Sequence, residues 1–206
     1  MKYLFLIFSL LTISSFSINP HHKSIGGGDH KTPLMEAVIQ KDIDQARELI
    51  MAGEDVCAVE GRDFPRGGNP VLRYAIDSQS LDMVRLLLEA GADANDITAS
   101  PLIFKYKNSN VRNLSLLSHA INIKAPLEII EELINWGAYL DGSPKIFGDW
   151  SALMIAAYKG HLDIVKLLIS YEADISEVNS YNGKSALDCA QEQGHVKVVK
   201  YLKSLE

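Results

Sequence analysis

The sequence predicts an all-α solenoid: five helix-turn-helix units, stacked side by side, with extended turns between them. Two observations carry this. The phrase Gly160-His161-Leu162-Asp163-Ile164-Val165-Lys166-Leu167-Leu168 returns 34 residues later as Gly194-His195-Val196-Lys197-Val198-Val199-Lys200-Tyr201-Leu202. Weaker copies run through Asp42–Leu49, Ser80–Leu88 and Ala125–Leu133. The second observation is an anchor ahead of each phrase, a leucine followed three residues later by alanine. It recurs at Leu34/Ala37, Leu72/Ala75, Leu117/Ala120, Leu153/Ala156 and Leu187/Ala190, with leucine spacings of 38, 45, 36 and 34. A period in the thirties belongs to stacked helical units rather than to one globular core, and the excess over roughly 33 residues falls in the connections.

The elements of each unit follow in order. Thr32, Ser115, Ser151 and Ser185 precede the first helices of four units, where a hydroxyl caps free helix amides. Pro33 follows one such cap, at a position where its missing N–H costs nothing. The second helix runs about ten residues with apolar positions at three-four spacing, as in Leu162, Val165, Leu168 and Ile169. Pro126 stands at a first-turn position of the second helix in the third unit. Gly53, Gly91 and Gly137 end second helices, supplying the left-handed residue of a C-cap. The units span about 29–66, 67–112, 113–147, 148–181 and 182–206. Lys197, Lys200 and Lys203 give the last one the polar face expected of a terminal repeat.

These residues resemble the ankyrin repeat. Thr32-Pro33-Leu34 and Gly91-Ala92-Asp93-Ala94-Asn95 look like the family's Thr-Pro-Leu and Gly-Ala-Asp-Val-Asn signatures, and Gly160-His161 and Gly194-His195 are similar to its inter-helix turn. The resemblance covers 29–206. Two departures stand out. The family's histidine after Thr-Pro-Leu is replaced by Met35, Arg73, Ser118, Met154 and Asp188, and Glu172 stands where the fourth unit should have its C-cap glycine. Both lower local stability without threatening the fold.

Residues 1–17 lie outside this pattern. Lys2, the apolar run Tyr3–Leu11 and the small residues around Ser15–Ser17 read as a secretory signal peptide, too short to span a bilayer comfortably. Its removal takes one lysine and no acid, so the net charge moves from -6 to -7. Residues 18–28, ending in Gly26-Gly27-Gly28, read as a flexible leader. Cys57 and Cys189 sit four units apart. Helix layers about 8–10 Å thick separate them by roughly 35–40 Å, far beyond the ~7 Å between Cα atoms that a disulfide tolerates. Both are expected as free thiols, with Cys189 buried and inert.

No chemical constellation emerges. Gly183-Lys184-Ser185 imitates the end of a phosphate-binding loop, but Val178 stands where its first glycine belongs, and Ser185 falls at a helix cap. His119, His161 and His195 sit at recurring repeat positions and suit backbone bonding better than proton transfer. No nucleophile elbow or zinc-binding His-Glu-x-x-His occurs. His21, His22 and His30 have no carboxylate or cysteine cluster to complete a metal shell. The acidic balance disfavours nucleic acid, whose phosphates need a basic stripe. The chain is therefore expected to be no enzyme, with no cofactor, no metal and no membrane contact once the signal is removed.

Surface recognition remains. Stacked repeats form a long concave face from turn tips and first helices. By the ankyrin resemblance, the residue before each cap points into this groove: Lys31, Asn69, Leu114, Trp150 and Lys184. The first helices add Ile39, Asp77, Asn122, Tyr158, Lys159, Glu192 and Gln193. Trp150, Tyr158 and Tyr181 form the sharpest local feature, since Trp and Tyr dominate interface hot spots; the alternative role for Trp150 is cover over helix ends. Insertions lengthen three connections, at Glu60–Gly68 with Phe64 and Arg66, at Ala99–Arg112 with Phe104 and Tyr106, and at Gly142–Gly148. Insertions in repeat proteins cluster on one face, often the binding face. The expected function is that of an exported scaffold, monomeric when free, that binds another protein with a basic surface. Its start and size are similar to bacterial periplasmic ankyrin proteins. That likeness implies an immunity or inhibitor protein occluding its partner. The alternatives are a secreted effector engaging host proteins and a scaffold supporting a periplasmic enzyme.

Overall fold

The computed structural model describes residues 31–60, 68–99, 105–106, 109–110, 113–141, 150–180 and 182–205. The expected signal peptide (1–17) and leader (18–28), and Phe64, Arg66, Phe104 and Tyr181, lie outside the described residues.

Ten helices form five pairs among the described residues: α1 (Pro33–Gln40) with α2 (Ile43–Met51), α3 (Val71–Asp77) with α4 (Leu81–Glu89), α5 (Leu116–Asn122) with α6 (Leu127–Asn135), α7 (Ala152–Lys159) with α8 (Leu162–Ser170), and α9 (Ala186–Glu192) with α10 (Val196–Lys203). The first helices α1, α3, α5, α7 and α9 pack side by side in chain order, and the second helices make an outer layer behind them. This is the expected all-α repeat solenoid. The five anchor alanines are buried between helices, as are the leucines of the first four units. Alanine at these points lets neighbouring backbones approach closely while the leucine fills the space between layers.

No strand was expected, yet the first two lengthened connections carry short antiparallel ladders. β1 (Val59–Glu60) pairs with β2 (Asn69–Pro70), and β3 (Ile97–Ala99) with β6 (Asn113–Ser115). Within the second insertion, β4 (Lys105–Tyr106) pairs with β5 (Ser109–Asn110). In the first two lengthened connections the flanking limbs run antiparallel, so their backbone groups satisfy one another.

Caps follow the sequence closely. Thr32, Ser115, Ser151 and Ser185 each accept a hydrogen bond from the amide three residues on, and Ser185 with Asp188 completes a reciprocal capping box. Pro126 falls one residue earlier than expected, as the N-cap of α6 rather than inside it. Gly53, Gly91 and Gly137 all have positive φ beyond the second helices. The turns between paired helices also need a left-handed residue. Gly160 and Gly194 supply it in the last two units, whereas Lys41, Gln79 and Lys124 are held at φ 61°, 56° and 55° in the first three.

Glu172 has φ 65°, so it adopts the left-handed conformation of its glycine counterparts. Its amide bonds to the Ile169 carbonyl and that of Ala173 to Leu168, the same closure that Gly137 and Ala138 make on Ile134 and Leu133. A side chain in this region costs about 1–2 kcal/mol. Glu172→Gly is therefore expected to raise the melting temperature by a few degrees (about 2–4 °C per kcal/mol at this size), as read by thermal circular dichroism. An unchanged or lower value contradicts the assignment of strain.

Both cysteines are free thiols. Burial pushes the Cys189 thiol up to about 12, which keeps it protonated and unreactive. Cys57 has a structural role. It stands four residues after Gly53, as Asn95 stands after Gly91 and Asp141 after Gly137. From this position side chains stitch one unit to the next. Cys57 Sγ donates to the Gly91 carbonyl at 3.6 Å. Asn95 donates to the Gly137 carbonyl at 2.8 Å and accepts from the Tyr139 amide at 2.9 Å. Asp141 accepts from the Asp174 amide at 3.0 Å.

Candidate protein-binding face

Five first helices in parallel array place equivalent residues in columns. The position five residues after each anchor leucine holds Ile39, Asp77, Asn122, Tyr158 and Glu192. All five retain solvent exposure: Ile39, Asp77 and Glu192 are exposed, and Asn122 and Tyr158 are half-buried. Lys159 is also half-buried and Gln193 exposed.

The residues before the caps divide by chemistry. Lys31 lies 3.5 Å from Glu60 and above the Tyr74 ring, and the Tyr74 hydroxyl donates to Glu60. Asn69 Oδ1 accepts from the Thr98 hydroxyl of the next connection at 3.1 Å. Lys184 pairs with Glu192. Leu114 and Trp150 behave differently: they are only 1% and 6% exposed, and both belong to the core. The expectation that these two side chains present themselves to a partner is corrected. Their apolar area is worth more buried than solvated, and each follows a long connection that lets it fold inward. The Trp150 ring meets Tyr158 edge to face, with centroids 5.4 Å apart. Trp150 is thus a core residue, and Tyr158 is the half-buried member of the pair. Residue type marked the difference, since the other three positions carry Lys, Asn and Lys. For Tyr106 the structure gives only its place in β4, at the tip of the second insertion.

A polar cluster that sequence reasoning did not assemble lies between α3 and α5. His119 is buried, and its Nε2 lies 2.6 Å from Asp77 Oδ1. Arg73 Nε approaches the other Asp77 oxygen at 3.3 Å. His119 Nδ1 and Asn122 Oδ1 are buried without hydrogen-bond partners. The repeat register alone pointed to Asp77 and Asn122 as column neighbours. It could not show that His119, inside a helix, reaches back one unit. Asp77 is held by two neighbours, His119 and Arg73, which fixes the orientation of its carboxylate.

The Gly-His turns lie at the other end of the helices. His195 Nε2 bonds the Tyr158 carbonyl of the preceding unit at 2.9 Å. The ring sits so close to Gly160 that an added Cβ there would lie 2.5 Å from His195 Nδ1. His161 is held below the ordinary histidine range, by burial first and then by Lys124, with Lys159 and His195 adding to it. A histidine with a depressed folded pKa binds fewer protons than the unfolded chain as pH falls below its reference value of 6.5. Stability from this group is therefore complete above about pH 6.5 and lost as pH falls towards the folded value. His161→Gln is expected to flatten the fall in melting temperature between pH 7 and pH 5. An equal fall in both proteins would show that other groups control it.

The phosphate-loop imitation resolves into a turn. The Gly183 amide bonds the Asn179 carbonyl at 2.8 Å, the Asn179 amide bonds the Lys184 carbonyl at 2.9 Å, and Ser185 caps α9. Among the described residues no three His, Cys, Asp or Glu side chains converge as a metal site, and no helix is long and apolar enough to cross a membrane.

A sequence model described as ankyrin repeats in three copies matches residues 3–98 and 116–206. The chain is 27% identical over 186 residues to the ankyrin repeat and KH domain-containing protein mask-1 of Caenorhabditis elegans, covering 83% of this chain and 7% of that protein. It is 26% identical over 196 residues to the B-cell lymphoma 3 protein homolog of Mus musculus, covering 95% of this chain and 39% of that protein. A probable E3 ubiquitin-protein ligase, XBOS33 of Oryza sativa subsp. japonica, is 27% identical over 135 residues, 66% of this chain and 23% of its own length. The chain therefore spans well under half the length of these relatives.

Proposed function

The chain belongs to the ankyrin-repeat family, and we propose that it is an exported, non-enzymatic binding protein that occludes a partner protein, as an immunity or inhibitor protein does. The observation that carries this reading is the column Ile39, Asp77, Asn122, Tyr158 and Glu192. It sets one apolar, one aromatic and three polar side chains along a single face of five rigid helices. Such a row offers an anchor and a polar rim without further folding, so little entropy is lost on binding. The net charge of -6 and the fixed Asp77 carboxylate suit a partner with a basic surface. The basic start and short apolar run of residues 1–17 support the reading of export, with the periplasm as the proposed destination.

Two measurements test the reading. N-terminal sequencing of protein from its native cell should find a chain beginning near Ile18; a retained Met1 in a cytosolic fraction contradicts export. A pull-down from periplasmic extract should enrich one basic protein. Asp77→Ala, folded by circular dichroism, should release it. Retention by that variant moves the binding site elsewhere.

A further inference from the structure

Three of the four seams between outer helices share a positional pattern. Align each outer helix on its first residue. The fifth residue of one then faces the sixth of the next. Arg85 of α4 meets Glu132 of α6 at 2.9 Å, and Lys166 of α8 lies over the Tyr201 ring of α10 at 5.4 Å. Between α2 and α4, Arg47 and Leu86 line one groove in the same two positions.

Among the described residues, one position of α10 and one of α2 have no counterpart in this pattern. The fifth residue of α10 is Lys200, and the sixth of α2 is Glu48; both are exposed. Burial is also lower on the same two helices. The fourth residue of the outer helix is Ala46, Val84, Ile130 and Val165 in the first four units, all at 0% exposure. In the last unit it is Val199, which is half-buried, and beside it Val196 is 75% exposed. At the opposite end the third residue is Met83, Ile129, Ile164 and Val198 in four units, none above 1%, whereas Gln45 in the first unit is exposed.

We propose that a second copy of this chain docks head to tail on these faces, setting Lys200 of one copy against Glu48 of the next as Arg85 meets Glu132. Charge complementarity selects this occupant. The C-terminal face carries Lys197, Lys200 and Lys203 around exposed valine, and the outer helix of the first unit carries Asp44 and Glu48. The two surfaces belong to the first and last described units, so the contact is heterologous and extends into an open chain rather than closing as a dimer. An exposed ion pair and modest valine burial make the association weak and salt-sensitive.

Sedimentation of the full chain over a range of concentrations, at low and high salt, tests this. The weight-average mass should climb continuously with concentration at low salt and return to the monomer value at high salt. Lys200→Glu and Glu48→Lys should each weaken the association by about tenfold or more, because like charges then face each other. The double variant should restore it. Circular dichroism and melting temperature confirm that each variant is folded. A parent that stays monomeric up to about millimolar concentration overturns the proposal. So do single variants that associate like the parent, or a double variant that fails to recover.

Discussion

Trp150→Ala is expected to destabilise the protein by about 3–5 kcal/mol, the usual cost of deleting a buried large aromatic side chain. The indole is 6% exposed, packed in the core, and set edge to face against Tyr158. Alanine leaves a cavity at the start of α7, where the Ser151 cap and the closely packed α5 and α7 allow little collapse. The melting temperature should fall by on the order of 10 °C, and urea unfolding should shift its midpoint with little change in slope. A change of less than about 1 kcal/mol would restore the reading of Trp150 as an exposed contact, since surface substitutions are usually within about 0.5 kcal/mol. The consequence for function is direct. Any loss of binding by Trp150→Ala is confounded with unfolding, so this variant cannot map the interface.

Periodicity made the stack legible, because each repeat unit restates the same packing problem. Leucine and alanine anchors, hydroxyl caps and C-cap glycines recur in register, and the structure uses them as the sequence implied. Glu172 was readable for the same reason: the register assigns it a left-handed site whatever its side chain. What stayed hidden depends on relations between units. At Leu114 and Trp150 the apolar residue type was the signal for an inward turn, but the neighbours that bury them belong to other parts of the chain. The Asp77–His119 bond joins residues 42 apart, and Lys41, Gln79 and Lys124 show no compositional sign of their left-handed backbone. The ladders arose in connections where composition suggested only loops. Extended limbs there pair because each is the nearest partner for the other's amides.

Tyr158→Ala is expected to weaken the complex with the partner protein by about 2 kcal/mol or more, as loss of an interface aromatic does, which is roughly thirtyfold in Kd. Tyr158 is the aromatic member of the exposed column and is flanked by Lys159. Its loss also removes the contact with Trp150, worth about 0.5–1.5 kcal/mol, so the variant should melt a few degrees lower yet remain folded at the temperature of the assay. The second insertion provides an independent probe. Ala99 and Asn113 are partners across the β3–β6 ladder, so replacing 100–112 by an Asn-Gly turn closes a hairpin without moving either strand. This variant should keep its melting temperature and lose affinity, because it removes Tyr106 and the rest of the tip but none of the helical core. Lys203→Ala, on the far end of the stack, should bind within about 0.5 kcal/mol of the parent, as surface changes remote from a site do. Calorimetric titration of the three variants separates the outcomes. If Tyr158→Ala and the shortened loop both bind like the parent while remaining folded, the partner does not use the concave face, and recognition must lie on the outer helices.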